Sequence, residues 1–549
     1  MKKLPLLLTL FILLGFSKAN CQTPDWVWAR SANSGSSGLG EGRIVTTDKF
    51  ENIYVTGQYR DTISFGSFVL LGGSAYEIYF AKYDSSGNIK WAKCNGGSGT
   101  AVGYGIGTDN IGNSYLMGYF GGTIIFDSDT LISATTELFI TKFDSFGNVL
   151  WAKRAGGLGN LFAFAGTTDK FSNSYLTGFF TSSLFIFGTD TLNNPGGVDL
   201  FLVKYDSSGN EIWARSAGST NNTEALGIAT DIEGNVYLTG VFNVPTVQFG
   251  SFTLSNMGGY DIFIVKYNSA GNVIWAKSAA GNDWDEGIGI AADESQNVYI
   301  TGYYRSSKIA FGSDTIFNSG TYNTFLAKYD SIGNIIWVNK IGGTLSEIGY
   351  SIFADKNGKV YLTGRITSPS VVFDTITLQF PNGGNDPMFI ASYDSSGHIL
   401  FAKVLTSGGD DANGIVAGPS GNIYITSDYY MTSSMFIVGN DTLYTSGIDE
   451  DFFVAKLAYR QFGESVPEIS NNKEFIFYPN PLTSSSILQF NAQLKNAEVV
   501  IYDMVGKEMI RKKLTGDRME IEKGSLECGV YFVRVISEEG QWVEKLIIE

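Results

Sequence analysis

Histidine is almost missing from the chain: His398 is the sole one among 549 residues. HExxH zinc sites, His-rich metal clusters and most Ser/His/Asp triads are therefore excluded, unless each rests on that one residue. Cysteine is nearly as scarce. Cys94 and Cys528 lie in different segments, which argues against a disulfide between them. Basic charge is in deficit, with 38 Lys+Arg against 54 Asp+Glu and a formal net charge of −16. An acidic chain is a poor ligand for polyanions, so nucleic acid is excluded as the main partner. Apart from one stretch near the N-terminus, no run is long and apolar enough to span a bilayer. What the chain has in plenty is glycine, at 66 residues, and aromatic side chains, at 14%. That combination rules out a mostly disordered polypeptide. It implies many short strands joined by tight turns.

The two ends carry addresses. Lys2 and Lys3 precede the apolar run Leu6–Phe16, followed by small and polar residues to Cys21. This predicts a signal peptide over residues 1–21, with Ala19 and Cys21 before the cut and Gln22 as the new N-terminus. The rival reading lipidates Cys21, but Lys18, Ala19 and Asn20 depart from a lipobox. Export by Sec through the periplasm is expected, to the medium or the outer cell surface. After Tyr459 the composition changes, and residues 459–473 read as a linker. Alternating runs at Phe475–Tyr478, Ile487–Phe490, Glu498–Tyr502, Tyr531–Ile536 and Trp542–Ile548 predict a small β-sandwich over residues 474–549. Phe477, Tyr478, Pro479, Asn480 and Pro481 stand together, then Ile501–Glu508 with Gly506. Gly529–Val535 with Tyr531 follows, and the chain ends Lys545–Glu549. In this order the segment resembles the C-terminal sorting domain of the type IX (Por) secretion system. The resemblance implies the secretion machinery as a partner, with Tyr478, Pro479, Asn480, Pro481, Gly506, Gly529, Tyr531 and Lys545 as the signal. Glu549 departs from it, since the family often ends on a basic residue.

Between the ends the chain repeats. Trp28, Trp91, Trp151, Trp213, Trp275 and Trp337 recur about every 62 residues, with Phe401 in the next place. The glycines of a Tyr-x-Thr-Gly motif, Gly57 to Gly364, keep the same step, with Ser427 last. So do Lys82, Lys142, Lys204, Lys266 and Lys328, with Ser392 and Lys456 completing the series. Each unit reads as four strands in two hairpins. Asp opens each turn, and Gly supplies the position with positive φ. Strands such as Phe263–Tyr267 are apolar on nearly every residue, so both faces are expected to be buried. The predicted fold is all-β: a seven-bladed β-propeller over residues 22–458, then the C-terminal sandwich. The strand Trp26–Arg30 is expected beside Phe452–Lys456, closing the ring. Innermost strands are expected to begin near Ile44, Gly105, Ala165, Gly227, Gly289, Ser351 and Gly414. The units are similar to SBBP propeller repeats, with longer insertions.

Chemistry is thinly signalled. Tyr-Asp-Ser-Ser-Gly-Asn turns such as Tyr83–Asn88 have too few ligands for a calcium loop and read as hairpin turns. The recurrent Trp reads as packing between blades. Glu77, Glu137, Asp199, Asp261, Asn323 and Asp451, one per unit, read as architectural hydrogen-bonding groups. Glu41, Glu224, Glu286, Glu347 and Asp411 lie where chains return inward, and are weak candidates for a calcium site. No other cofactor is implied. Asp283 and Asp285 raise a glycoside-hydrolase reading. Asp-Thr-Leu or Asp-Thr-Ile resembles a bacterial O-glycosylation motif, with Thr130, Thr191, Thr315, Thr375 and Thr442 as acceptors. Recognition is expected on the rim of long, variable connections. There Trp284, outside the repeat's Trp register, stands with Asp283, Asp285, Glu286, Asn221, Asn222 and Glu224. The expected function is a monomeric, non-enzymatic binding or adhesion module for a glycan or protein. A hydrolase and a purely structural envelope component are the alternatives.

Overall fold

The computed structural model describes the chain from Thr23 to Ile548, apart from residues 35–38, 157–158, 380–386, 406–412, 430–434, 445–450, 460–474, 504–506, 525 and 538–539. The expected signal peptide, nearly all of the linker, Asp411 and Gly506 lie outside the described residues. Every described element is a strand, and the chain divides into two units, Met1–Tyr459 and Arg460–Glu549.

In the first unit the repeat copies fold as four-stranded antiparallel sheets. Sheet four shows the plan: Thr223–Thr230, Val236–Phe242, Asp261–Tyr267 and Val273–Gly281, in that order. Sheets one, two, three, five and six begin with Gly40–Thr47, Thr100–Thr108, Leu161–Thr168, Asp285–Ala292 and Glu347–Ala354. Sheet seven runs Gly414–Ala417, Ile423–Tyr429, Asp451–Ala458. Its fourth strand is the N-terminal Asp25–Ser34, paired from Asp25↔Ala458 to Ala32↔Phe452. The third strands of sheets one to six are buried along their sheet-paired length, as in Asp261–Tyr267, and that of sheet seven nearly so, so each is covered on both faces. First strands of sheets one to six begin four or five residues earlier than the sequence suggested, for a reason given below, and the described first strand of sheet seven begins at Gly414.

The turns explain the motif. In Asp84–Asn88, Asp84 Oδ1 accepts from the amides of Ser86 and Asn88 at 3.0 and 2.9 Å, and Gly87 takes φ 80°. Desolvation opposes the charge, but Lys90, 2.7 Å from Oδ2, and the side chain and amide of Asn88 hold Asp84 ionised, with a pKa of about 2. The turn also seats the preceding sheet. Trp213 Nε1 and Lys204 Nζ both donate to Ser269 O, at 3.2 and 3.0 Å. Gly271 lies under the indole, where a Cβ would come within 3.0 Å of it. Trp28 on Gly87, Trp91 on Gly147, Trp275 on Gly333 and Trp337 on Gly397 repeat the arrangement. The recurrent Trp is thus packing between sheets.

Sheet six departs from this plan for a topological reason. Sheet seven takes its fourth strand from the N-terminus, so it has no third-to-fourth turn on which an indole can sit. Phe401 stands where Trp would be and meets Tyr459 edge-on at 6.3 Å. Ser392 replaces the lysine that would have donated to the missing turn.

Outside each sheet, the second-to-third connection folds into a hairpin, such as Lys308–Phe311 with Asp314–Phe317. Lys308–Phe311 adds to the last strand of sheet four, and Thr62–Phe65 likewise adds to Asp25–Ser34. Hairpins therefore cover edges that would otherwise invite foreign strands. The Asp of Asp-Thr-Leu completes the cover: Asp129, Asp190 and Asp441 accept the edge amides of Ala152, Ala214 and Ala29 at 2.7–2.8 Å. That accounts for the recurrence of the motif. Thr130, Thr191 and Thr315 are exposed on the hairpins and Thr442 is half-buried. Thr375 is exposed as well, but lies with Asp374 in the hairpin turn itself, ahead of the strand Ile376–Gln379.

The second unit is a five-stranded arrangement of Phe475–Tyr478, Ser485–Tyr502, Glu508–Glu522, Gly529–Ser537 and Gly540–Ile548. Leu488, Val499, Leu514, Val533 and Leu546 fill its core. Asn480 uses its side chain as a strand would. Its Nδ2 donates to Lys545 O at 2.9 Å and its Oδ1 accepts from Ile547 N at 2.8 Å. Tyr478 and Lys545 are exposed, and Gly529 starts the strand paired with the terminal one. Tyr531 Oη donates to Glu527 O at 3.0 Å.

Candidate functional site

Every described first strand of sheets one to six carries a β-bulge at the same place. Register slips between Gly42 and Ile44, across Tyr104, between Ala163 and Ala165, Ala225 and Gly227, Gly287 and Gly289, and Gly349 and Ser351. A bulge leaves one residue unpaired and re-aims its side chain. The residues so released are Arg43, Tyr104, Phe164, Leu226, Ile288 and Tyr350, with Asn413 of sheet seven at the equivalent place. The small residues expected to begin the strands are the ones just after the bulge. They let the first strands crowd together: Gly105 pairs with Gly166, and a Cβ on Gly414 would lie 3.0 Å from Val45 N. First strands of all seven sheets line one cavity of about 440 Å³, with the bulged side chains at its mouth.

The mouth lies on the rim of the long connections, the same end of the strands as Trp284. Trp284 is 42% exposed and stacks on Tyr260, with ring centroids 4.7 Å apart and planes at 25°. Asn222 Nδ2 bridges Glu224 Oε1 at 3.1 Å and Tyr260 Oη at 3.2 Å. Tyr303 Oη donates to Glu286 and meets Tyr322 edge-on at 5.1 Å. Burial pushes the Glu224 carboxyl above its ordinary range; Asn222 pulls it back and the charge of Glu286 adds to the rise. Burial raises Glu286 as well, against hydrogen bonds from Tyr303 and Trp284. Glu224, Glu286, Asn222 and Trp284 are therefore brought together, while Asn221 is an exposed loop residue beside them.

Two neighbours do different work. Asp285 is fully buried, and accepts from Ser306 Oγ at 2.7 Å and the amides of Arg305 and Ser306 at 3.1 Å. It anchors the loop and does not face a ligand. Asp283 meets Arg305 at 3.5 Å. With one buried and the other ion-paired, they are not the opposed carboxylates that glycoside hydrolysis requires.

The expected ring of cation-binding acids is also corrected. Glu41 is held by Arg43 at 2.6 Å and Gln58 at 2.8 Å. Glu347 is fully buried and occupies the register of Asp285, one residue before that of Glu286. Its carboxylate accepts from Gly343 N at 2.7 Å and Asn323 Nδ2 at 3.1 Å. Ile348 takes the place at the mouth instead. Among the described residues no group of three His, Cys, Asp or Glu is placed to hold a metal ion. The once-per-unit acids are architectural in geometry: Asp261 binds the amides of Met257 and Gly281, and Glu77 that of Gly73.

Sequence reasoning missed the mouth's second half. Arg43 lies 4.9 Å over the Tyr104 ring, which stacks on Tyr119 at 5.9 Å, and Phe162, Phe164 and Phe179 adjoin them. The available signal was the residue before each small one: bulky in six of the seven copies and variable among them.

Comparison with known proteins bears on each unit. Residues 476–549 match the family model described as the secretion system C-terminal sorting domain, of the Por type. The second unit is a sorting domain of that system, and it marks the chain for export to the cell surface or beyond. A WD repeat-containing protein of Acanthamoeba polyphaga mimivirus, itself uncharacterized, is 28% identical over 382 residues, covering 56% of this chain and 28% of that protein. Regulatory protein FlaEY of Caulobacter vibrioides is 26% identical over 291 residues, covering 49% of this chain and 30% of its own. The chain thus spans less than a third of the length of either relative. Among solved structures, PorZ, a surface component of the type-IX secretion system of Porphyromonas gingivalis, aligns over 94% of this chain and 100% of its own. Its identity is 10% and its TM-score 0.17. The all-β, propeller-like architecture rests on the strand pairing above.

Proposed function

We propose that the first unit is a closed seven-bladed propeller of SBBP type, exported by Sec and then by the type IX route. We read it as a non-enzymatic binding module for a glycan or protein at the cell surface. One observation carries the binding reading: an exposed tryptophan stacked on tyrosine, flanked by half-buried carboxylates, at the mouth of an axial cavity. Large aromatic rings with a few convergent polar groups are the usual make-up of a recognition site. The opposite rim consists of near-identical short turns whose aspartates are spent on backbone amides. The test is a glycan and envelope-protein binding screen with Trp284→Ala beside a short-turn variant, Phe171→Ala. Loss of binding with the first alone supports the reading; loss with the second alone refutes it.

One feature favours a hydrolase instead. Glu224 and Glu286 lie on neighbouring first strands and are both raised by burial, as a general acid must be. Release of reducing ends from polysaccharide, abolished by Glu224→Gln and Glu286→Gln, would establish that reading.

A further inference from the structure

The side chains around the axial cavity are unlike on its two sides. On one side Tyr104 and Phe164 line it, and they belong to a closed circuit of five rings. Tyr104 to Tyr119 is 5.9 Å, Tyr119 to Phe162 5.2 Å, Phe162 to Phe179 5.0 Å, Phe179 to Phe164 5.2 Å, and Phe164 back to Tyr104 5.7 Å. All five are half-buried, so this wall keeps a face towards solvent. Core rings elsewhere in the sheets, such as Phe201 and Phe263, are fully covered. Arg43 closes one end of the wall and is itself held by Glu41 and the Tyr104 hydroxyl, at 2.6 and 3.1 Å. On the other side, over sheets four to seven, Tyr350, Ser351 and Asn413 line it beside Leu226 and Ile288.

An apolar wall facing hydrogen-bonding groups suits a molecule with both characters. A pyranose ring has them: its C–H face stacks on aromatics and its hydroxyl edge exchanges hydrogen bonds with side-chain hydroxyls and amides. Its enclosure matters as much. First strands of all seven sheets stand around the cavity, and about 440 Å³ is the volume of a small-ligand pocket. A polymer cannot be laid across a well walled on every side; only an end can enter it.

We propose that the axial cavity is a subsite for the terminal residue of a glycan chain, its ring face on Tyr104 and Phe164 and its hydroxyls towards Tyr350, Ser351 and Asn413. The assignment rests on the glycan branch of the function proposed above. In this arrangement Trp284, on the rim, contacts residues further from the end. Cellohexaose, maltohexaose and N-acetylchitohexaose are titrated into the full-length chain, with tryptophan fluorescence as the readout. Each is compared with the same hexasaccharide carrying a bulky group at both ends. At least one open hexasaccharide should bind, its blocked form at least about tenfold more weakly, and Phe164→Ala should cost a similar factor. The open-against-blocked comparison uses the unaltered protein, so it stands even where Phe164→Ala fails to fold. Equal binding of open and blocked forms overturns the terminal subsite and leaves glycan recognition on the rim intact. Binding of none of the hexasaccharides overturns both.

Discussion

Asp285 ties the loop that carries Trp284 to the core, and it does so at a cost that depends on pH. Its side chain is fully buried, and desolvation lifts its pKa from 3.8 to about 7, against the hydrogen bonds of Ser306 and Arg305 and with the nearby charge of Asp261 adding to the rise. Because the folded-state pKa lies above the unfolded one, the folded chain holds this proton more tightly. The stabilisation is complete below about pH 4 and is lost as pH rises through 7. A rise of about three units corresponds to about 4 kcal/mol between the two limits. Asp285→Asn keeps the shape and leaves an amide that donates to Ser306 Oγ, as the protonated acid would. Urea unfolding of both proteins from pH 4.5 to 8.5, followed by tryptophan fluorescence, isolates the effect, since other groups titrate equally in each. The variant should match the native chain at pH 4.5 and exceed it by a few kcal/mol at pH 8.5. A variant that is less stable at pH 8.5, or that keeps the native slope, would refute the reasoning.

Other expectations follow from the same kind of count. Gly271→Ala forces an L-residue to φ 79° and drives its Cβ to 3.0 Å from Trp213, so unfolding in urea should show a loss of about 1–3 kcal/mol and a shifted tryptophan emission. Asp190→Ala strips the edge amide of Ala214 and the Arg215 side chain of their acceptor; about 1–2 kcal/mol should be lost, with self-association visible by light scattering. Asn480→Ala removes both bonds to the terminal strand, which should lower only the transition of the C-terminal unit, by about 1–3 kcal/mol. The same change should leave the protein in the periplasm when culture fractions are blotted.

The strand plan was legible because it is written many times over. Asp, Gly, Trp and Lys recur at fixed offsets, and each does local work: an amide cap, a positive φ, an inter-sheet seat, a bond to the next turn. Even the exceptions were written, since Phe401 and Ser392 break the series where no turn exists to receive Trp and Lys. The site was less legible. A bulge shifts register by one residue, and side chains one apart on a strand point to opposite faces. Reading Glu347 with Glu286 was such a slip, and it turned a buried loop anchor into a candidate cation ligand. Asp285 was misjudged for a related reason, because adjacency to Trp284 in sequence conceals that alternate residues face inward. The aromatic wall of Tyr104 and Phe164 gave no periodic signal, since that position varies among Arg, Tyr, Phe, Leu, Ile and Asn from copy to copy.

The pairing of Asp25–Ser34 with Asp451–Ala458 gives the molecule a seam in time as well as in space. Each of the first six sheets is assembled from one contiguous stretch of chain, so its contacts are local and quick to find. The seventh waits for residues more than four hundred positions apart, from Asp25 to Ala458, to meet. Until Ala458 has emerged, the first strand to appear has only the Thr62–Phe65 hairpin at its end for a partner, and the last sheet has an open edge. For a chain that carries its sorting domain after that point, the seventh sheet is completed only once nearly everything but the address has been delivered.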